Sequence, residues 1–443
     1  VATFQSLPGF REFYPEDCAA RNGLFRAWRE AARRQGFSEY DAPVLEPLEL
    51  YLEKSGEEIR SQLFEFTDKG GRQVALRPEM TPSLARLVAA RAGSLRRPLK
   101  WFSIGECFRY EKPQKGRGRS FYQFNADIIG EPGPGADAEC IALLVESLKA
   151  CGLKEGEFEI RVSDRKLWFL FLANLGVNEL QAVEILSIID KWEKTSMEEI
   201  GSKLKVYFGE RTEQVEAEIQ RLIKYKPQAG YRHFMAEDQV VEIEDRLIEL
   251  DELWKRLEAL GVKDYCRLDM GIVRGLAYYT GFVFEAYQTV GTARALAGGG
   301  RYDDLLKKLG GVDLPAVGFG AGDMTLMDLL EELKRPLGAA DTPDIYLVIG
   351  GEKERPAALK LIGELRAAGL SVEYPLKDEK FGKQFKAADQ CGARLAIVIG
   401  EDEAAKSQVK VQDMKSGGEA PLANDAGLIE KIRGILANGL PAK

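Results

Sequence analysis

Histidine is nearly absent from this chain: His233 is the only one among 443 residues. A serine–histidine or cysteine–histidine relay would have to be built around it. It sits in the polar stretch Tyr231-Arg232-His233, which reads as a surface loop, so triad chemistry is excluded. Cysteine pairs are missing as well. Cys18, Cys107, Cys140, Cys151, Cys266 and Cys391 are scattered without a CxxC spacing, which leaves no clustered ligand set for zinc and no expected protein metal site. A disulfide framework has no purpose at this length, and the thiols are expected to be reduced and structural. No apolar run is long enough to span a bilayer, and residues 1–15 have neither the basic start nor the apolar stretch of a signal peptide. The expected compartment is the cytoplasm. Positive charge is also in deficit: 62 Lys and Arg against 70 Asp and Glu give a formal net charge of −8.

That negative sum does not exclude a polyanionic ligand, because a polyanion responds to the patch it touches and not to the total. Lys112, Lys115, Arg117 and Arg119 fall within eight residues, and Arg91, Arg96, Arg97 and Lys100 shortly precede them. Taken alone, such runs are as readily a solvated face. With 45% hydrophobic and 30% charged residues the composition is that of a globular protein, and the length exceeds what one core usually serves. Two or three domains are expected.

Residues 16–35 place Leu24, Phe25, Trp28, Ala31 and Ala32 at helical spacing, with Gly36 as the stop. Residues 40–45 look extended, with Pro43 confining them to an edge or an interface. A hairpin is expected at 63–76 around the turn 67–71, and a helix at 82–92. Two runs rich in aromatic and β-branched residues, 99–108 and 120–129, flank the basic loop 111–119 and predict an antiparallel pair with that loop at its tip. Residues 166–262 are helical in pattern, with leucines at 247, 250, 253 and 257, and read as an insertion. Strands resume at 278–287 and 292–296, and Gly298-Gly299-Gly300 precedes an expected helix at 302–309. After the linker 335–343, short apolar strands at 345–350, 371–374 and 395–400 alternate with helices, the pattern of a small separate α/β domain. The fold class is therefore mixed α/β (α+β), with expected divisions at 1–165, 166–262, 263–335 and 342–443.

The most informative segment is Phe108-Arg109-Tyr110-Glu111, followed by the mobile-looking basic loop. An arginine fixed in a strand, an acid and a cationic loop suit the displacement of pyrophosphate from ATP by a carboxylate, which demands alignment and charge stabilisation. The attacking carboxylate is already ionised, so no general base is required. The shortage of histidine fits that chemistry.

At these residues the sequence resembles the class II aminoacyl-tRNA synthetases, the histidyl branch most of all. Arg109 and Glu111 resemble the fRxE core of motif 2, and residues 36–47, with Pro43, resemble motif 1, which builds the family's dimer interface. Arg274-Gly275-Leu276-Ala277-Tyr278-Tyr279 resembles the histidyl signature RGLDYY, and Gly299-Gly300-Arg301-Tyr302-Asp303 resembles GGRYD. The resemblance covers nearly the whole chain, and implies an antiparallel-sheet catalytic domain, a helical insertion that clasps the tRNA acceptor arm, and a C-terminal anticodon-binding-like domain. It implies that Glu79 and Thr81 hold the amino group of a substrate histidine and its surroundings, that Gln123 holds its carboxylate end, that Asp127 faces the imidazole, and that Tyr278, Tyr279 and Tyr302 close the pocket. It makes Arg109 and Arg274 the catalytic pair at the α-phosphate, with Glu111, Arg117 and Arg301 also at the ATP, and Lys115, Arg117 and Arg119 at the tRNA. ATP, Mg2+, histidine, tRNA(His) and a second copy of the chain are the implied cofactors and partners. An acceptor and a phenol at fixed distance are also what imidazole recognition requires physically, since a site built to hydrogen-bond a polar group rejects apolar analogues by large factors.

Three positions depart from the family pattern. Asp127 stands where Glu is usual, so its contact must span one methylene more. Ala277 replaces the acid of RGLDYY. Gly322-Asp323-Met324-Thr325 replaces the G-x-E-R end of motif 3, removing an ATP-binding arginine whose uncompensated loss would cost about 2–4 kcal/mol of transition-state stabilisation. Either Arg117, Arg119 or Arg301 takes its place in an active enzyme, or the chain is a regulatory paralogue that binds histidine or a partner enzyme without catalysis. The joint presence of Glu79, Arg109, Gln123 and Arg274 favours the first, and the C-terminal domain, which such paralogues drop, agrees with it. A synthetase for another amino acid is opposed by the two histidyl signatures. A bare RNA-binding module would have no use for Glu79 and Gln123.

Overall fold

The computed structural model describes residues 4–55, 57–192, 195–224, 240–273, 278–291 and 294–441. They form two compact units, Val1–Ala339 and Ala340–Lys443. The first runs through α1 (Pro15–Arg34), β1 (Ser38–Glu39), β2 (Leu45–Pro47), α2 (Leu48–Ser55), β3 (Glu65–Thr67), β4 (Gln73–Leu76), α3 (Thr81–Arg91), β5 (Leu99–Phe108), β6 (Ser120–Ile129), α4 (Pro134–Ala150) and β7 (Phe158–Asp164). Helices α5 (Arg165–Asn174), α6 (Glu179–Ile189), α7 (Met197–Phe208), α8 (Thr212–Ile223) and α9 (Val240–Ala259) follow, then β8 (Cys266–Leu268), β9 (Phe282–Gln288), β10 (Ala295–Arg301), α10 (Leu305–Gly310), β11 (Ala316–Gly322) and α11 (Asp323–Glu332). Among the described residues no single helix is long and apolar enough to cross a membrane.

The organising element is an eight-stranded sheet, among the described residues, in the order β1-β5-β6-β11-β10-β9-β7-β8. Its six inner strands pair antiparallel, and only the short edge strands β1 and β8 pair parallel. Because side chains alternate across a strand, each inner strand has two faces of opposite character. Phe124, Ala126 and Ile128 of β6 share one face with Val317, Phe319 and Ala321 of β11 and pack into a continuous core. α4 crosses that face and is apolar nearly all round, as a helix covered on both sides must be; α1 and α9 lie against it. Trp28 of α1 stacks on Phe124 with ring centroids 5.4 Å apart.

The helices α5–α9 share this same core, with Leu167, Ile185, Leu204, Ile219 and Leu253 all buried in it. Asp164, at the end of β7, caps α5 by accepting from the amides of Lys166 and Leu167, and its other carboxylate oxygen takes Arg246 of α9 at 2.6 Å. One buried acid thus starts a helix and anchors another.

Two expectations are corrected. The strand expected to end at 296 runs on as β10 through Gly298-Gly299-Gly300 to Arg301, between β9 and β11, and the helix expected from 302 begins only at Leu305. Residues 40–44 connect β1 to β2, so Pro43 stands between strands and not in one.

The second unit comprises β12 (Ile345–Ile349), α12 (Arg355–Ala367), β13 (Val372–Glu373), α13 (Phe381–Gln390), β14 (Leu395–Ile399), α14 (Glu401–Ala405), β15 (Gln408–Asp413), β16 (Glu419–Ala423) and α15 (Leu428–Asn438). Its sheet order is β13-β12-β14-β15-β16, parallel through the first three strands. β12 and β14 are buried on both faces, which is why they read as unbroken apolar runs.

Candidate active site

The face of the large sheet opposite α4 is a trough paved with glycine. Gln123, Asn125 and Asp127 project from β6 at every second residue. Their partners across β11 are Gly322, Gly320 and Gly318, and next to these on β10 lie Gly298 and Gly300. A Cβ on Gly318 would stand 1.9 Å from Asp127 Oδ1, and one on Gly320 would stand 2.5 Å from Gln123 Nε2. Only glycine lets those side chains lie flat on the sheet and leaves room for a ligand above it.

At one end of the trough Asp127 is buried, 3% exposed. Its Oδ1 accepts from the Tyr302 hydroxyl at 2.5 Å, while its Oδ2 has no hydrogen-bond partner. Burial pushes its carboxyl up to about 7, against the Tyr302 hydrogen bond and the Lys54 charge, which pull it down. Tyr278 lies against Tyr279 and Tyr302, with ring centroids 4.5 and 6.1 Å away. Tyr40 joins them from the β1–β2 connection; burial and the Asp127 charge raise its phenol, and its hydroxyl too is unpartnered. The end of the trough is a phenol-walled pocket around one unsatisfied carboxylate oxygen.

Glu79 enters from the segment before α3, next to Thr81 at the first position of that helix. Its Oε2 accepts from Lys54 Nζ at 2.5 Å, and the same ammonium lies 4.0 Å from the centre of the Tyr278 ring. Burial raises the Glu79 carboxyl, but Lys54, through charge and hydrogen bond, and Arg109 more than offset this and hold it ionised. Lys54 has no signature in the sequence: it lies 25 residues from Glu79 on a helix of ordinary pattern. Asn125 did have a signal, the alternation with Gln123 and Asp127, and its buried Oδ1 is unpartnered.

Beyond Gln123 the trough widens into an open cleft of about 800 Å³, lined by Arg109, Glu111, Arg117, Glu285, Met324 and Thr325 among others. Arg109 is aimed by a hydrogen bond from its Nε to the Pro78 carbonyl at 3.1 Å and by the Phe121 ring beneath it. Arg117 lies 3.6 Å from Glu111, and Arg119 donates to the Glu111 carbonyl at 3.3 Å while covering the Tyr110 ring. Lys115, at the loop tip, pairs with Glu332 at 2.9 Å. Arg109, Glu111 and Gln123 thus line the cleft, Asp127 follows Gln123 on the same face of β6 with Tyr302 bonded to it, and Lys54 links Glu79 to the Tyr278 ring. Arg274 and Ala277 lie outside the described residues, as does His233.

Arg301 does not belong to the trough. It follows Gly300 by one residue, so strand alternation sends it to the opposite face. There it is 4% exposed and embraces Asp137 of α4 while donating to the carbonyls of Glu131 and Gly133. Its place is structural, and it is removed from the candidates for ATP. Arg301→Ala should cost about 3–5 kcal/mol of stability by stranding Asp137, read by denaturant unfolding, while the KM for ATP of the folded fraction stays unchanged. A raised KM with undiminished stability would restore the ATP assignment.

Comparison with known proteins adds independent findings. A family model described as histidyl-tRNA synthetase matches residues 9–325, and one described as an anticodon binding domain matches residues 344–434. The chain is 52% identical to a histidine–tRNA ligase of Opitutus terrae over 96% of its own length and 97% of that protein. Its fold superposes on the crystal structure of histidyl-tRNA synthetase from a Nostoc species with TM-score 0.78 and 26% identity, covering 98% of this chain and all of that one. A Bacillus halodurans structure, titled as an ATP phosphoribosyltransferase regulatory subunit/histidyl-tRNA synthetase, gives 0.69 at 26% identity, covering 84% of this chain and 93% of that one.

Proposed function

The chain belongs to the histidyl-tRNA synthetase family and is a histidine–tRNA ligase; from that premise we propose how its own residues divide the work. The Asp127 pocket takes the imidazole, whose N–H donates to Oδ2 while Tyr302 holds the other oxygen and Tyr40 offers its free hydroxyl. Glu79, kept ionised by Lys54, receives the α-ammonium group, with Thr81 beside it. Gln123 holds the carboxylate end at the mouth of the cleft. That pocket, a buried carboxylate oxygen without a partner among phenols, is the single observation that carries the specificity for a small ligand with a polar aromatic ring.

The nucleotide occupies the cleft with its α-phosphate on Arg109, a guanidinium suited to bidentate contact with phosphate oxygens. Arg274 stands at the same phosphate by the family resemblance. One histidine carboxylate oxygen attacks the α-phosphorus, forming the acyl–phosphate bond as the bond to pyrophosphate breaks. The protein's contribution is alignment and charge, not proton transfer. Mg2+ would neutralise the polyphosphate; the carboxylates of Glu111 and Glu285 line the cleft and fit a hard cation that takes most of its oxygens from phosphates and water. In the second step a ribose hydroxyl of the tRNA's terminal adenosine attacks the carbonyl carbon and AMP leaves, with a phosphate oxygen of the substrate accepting the proton.

In this reading Lys115, Arg117 and Arg119 serve the acceptor end of tRNA(His), residues 166–262 clasp that arm, and the C-terminal unit takes the anticodon. Homodimerisation through residues 36–47 is supported by the exposed apolar pair Val44 and Leu45. The six free thiols suit a reducing cytoplasm.

The test is ATP–pyrophosphate exchange with each of the twenty amino acids in turn. Exchange with histidine alone is expected. Binding of histidine without exchange would turn the reading towards a regulatory paralogue, and exchange with another amino acid would overturn the pocket assignment.

A further inference from the structure

Among the described residues the far wall of the cleft carries no cation of its own. Met324 and Thr325, at the start of α11, are neutral, and the neighbouring Arg11 is taken up by Asp323 at 2.7 Å. Lys115 and Arg117 each have a carboxylate close by, Glu332 and Glu111. Among the described residues, a polyphosphate lying between the walls would meet Arg109 on one side and the Thr325 hydroxyl on the other.

Arg294 changes that picture. It stands one residue before β10, and its side chain reaches across to the basic loop, where Nη1 donates to the Lys115 carbonyl at 2.5 Å. A Cβ built on Gly116 would lie 2.7 Å from Arg294 Nη1, 3.4 Å from Thr325 Oγ1 and 3.6 Å from Asp328 Oδ2, so the guanidinium and the Thr325 hydroxyl flank the same point of the loop. Both Gly116 and Thr325 line the cleft. Among the described residues Arg294 forms no ion pair: its partner is a neutral carbonyl, and most of its five N–H donors remain uncommitted. The nearby Asp328 has a buried carboxylate oxygen without a hydrogen bond, so its charge favours a cation at this spot without occupying the donors.

Resting on the reading of the cleft as the ATP site, we propose that Arg294 is a further guanidinium on the ATP polyphosphate, besides Arg109 and Arg274, supplying from the β9–β10 hairpin the positive charge that position 325 lacks. The Lys115 carbonyl holds it ready, and a bound polyanion recruits the remaining donors. Arg117 and Arg119 then serve the loop and the tRNA, and neither they nor Arg301 are needed in that role.

Exchange kinetics on wild type, Arg294→Ala and Arg294→Ala/Thr325→Arg test this. For Arg294→Ala, kcat/KM for ATP should fall by about 10²-fold, the effect of removing one charge-stabilising donor, while KM for histidine stays within roughly twofold. Placing an arginine at 325 in that background should recover roughly tenfold, because a guanidinium is restored at the same point. Wild-type ATP kinetics in Arg294→Ala would overturn the proposal, as would equal losses for ATP and histidine with a lowered melting temperature, which would mark a structural role. An ATP-specific loss without recovery in the double variant would keep Arg294 on the nucleotide but overturn its equivalence to position 325. Absence of histidine-dependent exchange in the wild type would overturn the underlying reading of the site instead.

Discussion

Asp127→Asn should lower kcat/KM for histidine by about 10⁴-fold, the penalty seen when a site built for a polar group loses its complementary partner. Asparagine keeps the size and can still accept from Tyr302, so the loss isolates the charge and acceptor strength of Oδ2. The pH dependence makes the assignment sharper. Asp127 titrates at about 7, and a free imidazole at about 6.5. A bound carboxylate–imidazole pair that shares one proton must release a proton when it forms at lower pH and take one up at higher pH. Histidine affinity is therefore expected to peak near neutrality and to fall by up to roughly tenfold per pH unit on either side, with the asparagine variant losing that profile. A wild-type dissociation constant that is flat between pH 5.5 and 8.5 would sink the assignment.

The same residue sets a stability trade. Its folded value is raised above the roughly 3.9 of an unfolded chain, so the native state favours the neutral form. That advantage is full below the unfolded value and lost as pH rises through 7, above which the ionised group opposes folding in the ligand-free protein. At pH 8 the ligand-free asparagine variant should be more stable, by on the order of 2 kcal/mol, in denaturant unfolding.

Lys54→Met should be nearly as damaging, although Lys54 is a positioning residue. Its side chain is 1% exposed and holds Glu79, itself 19% exposed, in place. Without the ammonium, burial is left to act on Glu79 against Arg109 alone, and its carboxyl rises towards neutrality. kcat/KM for histidine should drop by about 10²-fold or more from misplacement and loss of charge, with a stability loss of about 3–5 kcal/mol from the stranded acid. Two readouts separate this from simple unfolding. Activity of the variant should climb with pH as Glu79 ionises, and Lys54→Met/Glu79→Gln should recover stability without recovering activity. A variant that regains activity along with stability would show that the pair is only structural.

Much of this architecture is legible in local pattern. The two apolar runs around the basic loop became β5 and β6 because alternation and β-branched content act within ten residues, and the doubly apolar strands 345–349 and 395–399 announced a sheet covered on both faces. Gln123 and Asp127 share a face because they are four residues apart on one strand, a property of the sequence itself. The full length of β10 was not legible for a physical reason: glycine is depleted in strands, and bare backbone at Gly299 and Gly300 is demanded only by the neighbouring strands, where an added Cβ would meet Gly318 O at 2.4 Å and Phe282 O at 2.8 Å.

What the chain alone determined is the chemistry available at each position: which residues are charged, which alternate, and which short motifs accompany one another. What only the tertiary structure decided is the company those residues keep. Arg301 and Tyr302 are consecutive, yet one is buried against α4 and the other hydrogen-bonds Asp127, because the sheet has two faces and the strand ends between them. Lys54 meets Glu79, and Arg294 meets Lys115, across separations of 25 and 179 residues. Charge and hydrogen bonding act over a few ångströms of space and carry no record of distance along the chain, so those pairings exist only once the sheet has formed.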